Sequence, residues 1–262
     1  MKVQILISCM HQKNADIIKR SNIQSDVIVI NQCDEDRRED FIFFNKKGEE
    51  CRATVIYTTE RGLSRSRNMP LNLATEDICV IADDDETFTD DYIDNICEAY
   101  RQYPDYGVIY FEIGNRLNGK RGYRKDMVIS KLKTLPICSV QITFKRKVII
   151  EKGLMFNPNF GAGASLAGGE EHIFMFECID KGIRCRNYPY EMAKLNPNSS
   201  STWRLGYSRA LMVDEGKVLK ALFGKPIASI VALRHLWRKR KWIMSNDSFI
   251  GGLKSIYSGI LL

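Results

Sequence analysis

The chain has 262 residues, enough for one well-buried core and a modest appendage but too few for two full domains. A hydrophobic share of 44% with 10% aromatics excludes wholesale disorder. Thirty-nine Lys and Arg against 32 Asp and Glu leave a charge of +7, which suits an anionic partner without choosing among nucleic acid, phosphate-bearing small molecules and anionic lipid.

Four continuous apolar runs punctuate the first third, at residues 3–8 (VQILIS), 26–31 (DVIVIN), 53–58 (ATVIYT) and 78–82 (ICVIA). Such runs predict strands covered on both faces. Helical patterns at 14–21 and 64–74 fall between them, so βα crossovers and a mainly parallel sheet are expected. Pro70 inside the second helix predicts either a first-turn position or a kink. Further on, a helix is expected over 90–103, stopped by Pro104, and strands over 106–113 and 139–145. The Gly- and Arg/Lys-rich stretch 115–131 reads as a loop. The glycine-rich 160–169 (FGAGASLAGG) leads into a helix over 170–181, with Ile173, Phe174, Phe176 and Ile179 at helical spacing and Gly182 as its stop. Residues 196–201 read as another loop, and a soft boundary near Tyr207 divides a main α/β unit (1–206) from a C-terminal segment (207–262).

Eight cysteines lie scattered without a C-x-x-C pair, several inside apolar runs, which predicts free buried thiols and a reducing compartment rather than disulfides or zinc. No charged n-region with a cleavage site opens the chain, and no apolar stretch approaches the roughly 20 residues of a spanning helix. A cytoplasmic, soluble or peripheral protein is therefore expected.

The most informative segment is 78–86 (ICVIADDDE), where a buried strand runs directly into Asp83, Asp84 and Asp85. Ligands of open parallel sheets collect at the carboxyl ends of the strands. Three adjacent carboxylates repel one another and call for a compensating charge. Mg2+ meets that need with one or two protein carboxylates, substrate phosphates and water. Helix capping alone needs only one aspartate.

Upstream of that strand stands Arg61-Gly62-Leu63-Ser64-Arg65-Ser66-Arg67-Asn68. Residues 61–86 together resemble the nucleotide-sugar glycosyltransferases of family 2, which have a GT-A (Rossmann-like) fold. There a G-x-x-x-x-R-N element, a helix, an apolar strand and a D-x-D-type cluster follow in this order. Here the matching residues are Gly62, Arg67, Asn68 and Asp83–Asp85. The resemblance implies that Asp83 contacts the nucleotide side of the donor, with Asp84 beside it. It further implies that Asp85, with Asp83, binds Mg2+ or Mn2+ on the diphosphate, and that Arg67 lies near the phosphates. Without the resemblance, Arg65 and Arg67 read equally well as solvated helix arginines. Residues Ser8 to Gln12 match the family's entry to the nucleotide site. Asp34 falls where the family often holds the base, although residues 34–40 also read as a solvated charged turn.

Inverting transfer needs a carboxylate to take the acceptor hydroxyl's proton while charge builds on the departing nucleotide. Gly168-Gly169-Glu170-Glu171 supplies a second acidic station at the start of a helix. The family's G-E-D element maps its proposed base to Glu171, preceded by Glu170, and the longer side chain leaves open which of the two acts. First-turn acids also stabilise a helix dipole without any function. His172 reads as a surface helix residue, and Trp203 and Arg204 fall where such enzymes close over a ligand.

In the tail, residues 226–244 set Arg234, Arg238, Lys239, Arg240 and Lys241 beside Trp237 and Trp242. An apolar stripe at helical period follows over 249–261. This pattern fits an anionic membrane surface, or a helical pair packed on the core with its charges solvated. No nucleic-acid-binding module accompanies the basic cluster.

The expected function is transfer of a sugar from a nucleotide-diphosphate donor, UDP foremost, to a saccharide or lipid-linked acceptor in surface glycan assembly. Two alternatives stay open. A sugar nucleotidyltransferase would carry a glycine-rich basic loop after the first strand, which 8–13 (SCMHQK) lacks. A non-catalytic, membrane-associated partner would keep the fold without the chemistry.

Overall fold

A computed structural model describes residues 1–115, 125–196 and 208–262. Ten strands form one sheet: β1 (Val3–Met10), β2 (Asp26–Gln32), β3 (Arg37–Phe44), β4 (Glu50–Thr58), β5 (Ile78–Ala82), β6 (Glu86–Phe88), β7 (Val108–Gly114), β8 (Met127–Val128), β9 (Ile142–Lys145) and β10 (Cys185–Leu195). The order across it is β3-β4-β2-β1-β5-β9-β7-β10-β6, with β8 against β10. Strands β4, β2, β1 and β5 run parallel, and β10 runs parallel to β7. Strand β9 is antiparallel to both of its neighbours, and β3 and β6 close the two ends antiparallel. The mainly parallel α/β sheet expected from the apolar runs is what forms.

Those runs are continuous because both faces of the sheet are covered. Ile5, Ile7, Val27, Val29 and Val80 face α1 (Ile17–Arg20) and α3 (Tyr92–Gln102). Leu6, Ile28, Ile30, Cys79 and Ile81 face α2 (Leu63–Leu73), α5 (Arg146–Glu151) and α6 (Glu170–Asp180). Period-2 alternation sends neighbours to opposite cores, so each strand needs apolar residues at every position. All eight cysteines are free and seven are buried, as expected.

Several expectations need correction. The first helix is only Ile17–Arg20, and residues 139–141 form a 3-10 turn ahead of β9. Pro70 sits in the second half of α2, not in its first turn. Its missing N–H forfeits only the bond to the Ser66 carbonyl. Residues 37–44 are an edge strand rather than a charged turn, with Arg38 and Asp40 exposed and Arg37 lying over the Tyr57 ring. Strand β10 was not anticipated, because Pro189 and its polar alternation hide it and its register against β7 shifts around that proline. Within the expected loop 115–131, the described part holds β8 and the start of a short helix α4 (Lys131–Thr134).

The tail is a helical hairpin of α7 (Arg209–Met244), broken in dihedrals at Gly224, and α8 (Phe249–Leu261). The boundary near Tyr207 and the residues Trp203 and Arg204 lie outside the described residues. The inner face of the hairpin buries Met212, Leu219, Ala228, Ala232, Leu236, Ile256 and Ile260. The helices touch backbone to backbone. A Cβ on Gly259 would lie 1.9 Å from the Val213 carbonyl oxygen, and one on Gly216 would lie 2.1 Å from that of Ile256. The hairpin in turn packs on α6 through Phe223 against Phe176, 5.0 Å between ring centroids. Helix propensity alone makes Gly259→Ala stabilising by about 1 kcal/mol. Because the added methyl has no room, we expect instead a loss of about 1–3 kcal/mol in chemical denaturation. A gain in stability would show that the helices do not cross this closely.

Candidate functional site

The carboxyl ends of β1, β2, β4 and β5 form one edge of the sheet, and the loops leaving them carry most of the residues singled out above. Two buried amides at the end of β2 order these loops. Asn31 donates from Nδ2 to the Gln12 carbonyl (2.7 Å) and accepts from the Gln12 N–H (2.9 Å). On the other face, Gln32 Oε1 accepts from the Gly62 N–H at 2.8 Å, pinning the entry to α2. The Gln12 side chain then donates to Asp84 Oδ2 at 3.0 Å. Neither amide was singled out from sequence. The available signal was a polar pair ending an otherwise apolar core strand.

Helix α2 reaches across to the glycine-rich loop. Asn68 grips Phe156 by two bonds, Nδ2 to its carbonyl and Oδ1 from its N–H, both 2.8 Å. Ser64 Oγ donates to the Phe160 carbonyl at 2.7 Å, and the Leu63 N–H donates to the Ala162 carbonyl at 2.9 Å. Phe156 stacks on Phe174 of α6 at 4.4 Å. The G-x-x-x-x-R-N element is therefore the joint between α2, the loop and α6.

Arg67 occupies that joint. It is 1% exposed, not a solvated helix arginine, whereas Arg65 is exposed and paired with Glu60. Its Nη1 donates to Glu170 Oε1 at 2.6 Å, and its Nη2 donates to Asp83 Oδ1 at 3.0 Å and Ser139 Oγ at 2.9 Å. One guanidinium thus joins the acidic triplet after β5 to the acidic pair opening α6. Burial disfavours its charge, but Asp83, Glu170 and Glu171 outweigh burial and raise its pKa.

The acids differ in their surroundings. Asp83 is one-third exposed, and its N–H donates to Oε1 of the fully buried Glu86 at 2.6 Å. Burial, then the charge of Asp83, pushes the Glu86 carboxyl well up. Burial also raises Asp84, with Asp83 and Asp85 adding to the effect. Asp85 is half-buried, and its carbonyl accepts from the Asn196 N–H at 2.7 Å. Burial and neighbouring Glu171 lift Glu170 to about 7, against the pull of Arg67. Glu171 goes the other way: burial is overcome by His172 and Arg67, and its carboxyl is held below the usual range. Each of Glu170 and Glu171 keeps a buried Oε2 without a hydrogen-bond partner.

His172 is not a surface residue. Its side chain is 19% exposed and lies against Glu171 and the Leu135 carbonyl. Ser8 sits within β1 with a buried, unpartnered Oγ, one turn of the pleat short of the loop. Asp34 is on the same edge but 89% exposed, its carboxylate held by Arg61 at 2.6 Å. Arg67, Asp83, Glu170 and Glu171 are brought together, while Ser8 and Asp34 lie apart from that cluster.

The sequence pattern of the family described as glycosyl transferase family 2 matches residues 12–163, more than half of the chain. The chain belongs to glycosyl transferase family 2. The family 2 match takes in Arg67 and Asp83–Asp85 and ends before Glu170. No curated protein matches the sequence. Among solved structures, S. aureus TarS 1-349 in complex with UDP superposes with a TM-score of 0.65 at 11% identity, over 99% of this chain and 81% of that one. A second structure of S. aureus TarS 1-349 gives 0.59 at 12% identity, over 89% of this chain and 66% of that chain. The mannosyltransferase PcManGT from Pyrobaculum calidifontis, in complex with GDP-Man and Mn2+, gives 0.57 at 16% identity, over 99% and 74%. The chain thus spans just under two thirds of that second TarS 1-349 structure, and the likeness establishes a GT-A fold.

The central ion pair is testable by denaturation. Removing one partner of a buried pair leaves the other charge uncompensated, at a cost of about 3–5 kcal/mol. Arg67→Met should lose that much, and adding Glu170→Gln should restore part of it. Strictly additive losses would show that the two groups do not interact.

Proposed function

We propose that this family 2 protein transfers one sugar from a nucleotide-diphosphate donor, a UDP-sugar foremost, to a hydroxyl of a saccharide or lipid-linked acceptor, with inversion, in surface polysaccharide or glycan assembly. The observation that carries the reading is the pair of acidic stations at the carboxyl edge of the sheet, joined by buried Arg67. The solved relatives in complex with UDP, UDP-GlcNAc and GDP-Man support a sugar nucleotide as donor.

The triplet fits a hard divalent ion. Its donors are carboxylate oxygens, and Asp84 is raised partly by its anionic neighbours, a repulsion that a cation relieves. Among the described residues no three His, Cys, Asp or Glu side chains gather into a cage. Asp85 and Asp83 would hold such an ion, beside donor phosphate and water. Bound Mg2+ or Mn2+ supplies charge neutralisation on the departing nucleotide. Asp83 Oδ1 already serves Arg67, which leaves Oδ2 for a second contact. Asp84, tied to Gln12, lines the nucleotide side, with Ser8 and Asp34 farther along the same edge. Glu171 is the base: its side chain is more accessible than that of Glu170 (11% against 4%), and Arg67 is bonded to Glu170 instead. Glu170, committed to Arg67, sets the distance between the two stations.

The membrane enters through the outer face of α7. Ile230, Leu233, Trp237 and Met244 are at least half exposed there, with Arg234, Arg238 and Lys241 exposed beside them. An apolar stripe edged by cations suits an anionic leaflet on the cytoplasmic side. No helix among the described residues is long and apolar enough to cross a membrane.

A thermal-shift screen of nucleoside diphosphates with and without Mn2+ tests the donor site. We expect UDP with Mn2+ to stabilise the protein by about 2.7 kcal/mol at a hundred times Kd, and Asp85→Ala to abolish the metal-dependent part. Glu171→Gln should keep this shift yet lose transfer by about 10²–10⁴-fold. No metal-dependent stabilisation by any nucleotide would sink the reading. For the membrane, co-sedimentation should be stronger with phosphatidylglycerol-containing vesicles than with phosphatidylcholine alone, and Trp237→Glu should weaken it; equal or absent binding would reject it.

A further inference from the structure

Both ring nitrogens of His172 face oxygen acceptors. Nδ1 lies 3.2 Å from Glu171 Oε1, and Nε2 lies 3.1 Å from the carbonyl of Leu135, the residue that ends α4. A neutral imidazole carries one proton, so beside an ionised Glu171 one contact would set lone pair against lone pair in either tautomer. The Leu135 carbonyl cannot supply a proton. With Glu171 ionised, as a general base requires, an imidazolium is the form that satisfies both contacts.

We infer that His172 is a positioning residue for the base: as a cation it orients the Glu171 carboxylate through Oε1 and keeps it ionised, ready to take the acceptor's proton. The inference rests on Glu171 being the base, as proposed above, and it adds a residue outside the family elements recognised in the sequence. The charged neighbours agree with it. On α6 they are Glu170 and Glu171, and from α2 comes Arg67, already committed to Glu170 and Asp83. From α4, Lys131 pairs with Asp180 and Lys133 reaches the Val128 carbonyl; on α7, Lys217 pairs with Asp214. Of these cations, none but His172 is bonded to Glu171 among the contacts described. Burial alone would push the imidazole down, yet the Glu171 carboxylate and the two hydrogen bonds raise it to about 9.

The sign of the pH effect follows. With His172 present the base stays ionised well into acid. Without it, burial drives the Glu171 carboxyl up, opposed by Arg67 and a backbone hydrogen bond. His172→Gln should therefore move the acid limb of the kcat profile upward by about one pH unit, a tenfold loss below the limb. The donor KM should change little, and His172→Arg should restore part of the acid activity. A purely structural role would lower kcat evenly and leave the limb in place, overturning the inference. Imidazole NMR of the full-length protein decides the ion pair without any assay. His172 should stay cationic through pH 7 and titrate lower in Glu171→Gln; a neutral His172 at pH 7 in the unsubstituted protein would overturn it. Should no sugar nucleotide support transfer, the transferase reading fails, while the NMR titration still judges the pair.

Discussion

The site depends on one buried guanidinium. Arg67 lies in a space where a lone charge would be prohibitively desolvated, and it is tolerated because two carboxylates and a hydroxyl meet it. The reverse also holds: Glu170 sits 3% exposed and could not be ionised there without Arg67. The pair therefore fixes β5's carboxyl end against the start of α6, although the two lie far apart in the chain. Asn68 and Ser64 on the same helix tie down the intervening loop, so α2 acts as a clamp whose contacts all serve the same spacing.

Around that clamp the acids are sorted by environment. Glu86 is buried beside Asp83, and burial and that neighbouring charge push its carboxyl well up. Asp84 is restrained by Gln12, itself held by Asn31. Glu170 and Glu171 are adjacent in sequence, yet their carboxyls are driven apart, one up by burial and its neighbour, the other down by His172. Separated acidities are what acid–base chemistry at neutral pH requires. The helical hairpin reaches this region too. A Cβ on Gly169, the residue capping α6, would meet Val218 of α7 at 2.6 Å, so α7 packs directly behind the acidic pair.

The sequence by itself determined a good deal. Continuous apolar runs specified β1, β2, β4 and β5, because a doubly covered strand has no polar face to alternate. The triplet Asp83–Asp85 and the pair Glu170–Glu171 were legible as acidic stations from their placement after a core strand and before a helix. The two tail helices and their basic character could also be read from periodicity and charge. Strand β3 was hidden because an edge strand with an exposed rim carries charge where a central strand carries isoleucine.

Tertiary structure decided the partnerships. Arg67 and Glu170 are 103 residues apart, and nothing in their spacing distinguishes a buried bridge from two solvated charges. His172 looked like a surface position because helical period gives direction around an axis but not what stands opposite; α4 supplies the Leu135 carbonyl that encloses it. Asn31 and Gln32 became clamps only once β1 and α2 were laid on either side of β2. Local pattern sets period and local charge, whereas burial and hydrogen-bond partners arise from chain segments that meet only on folding.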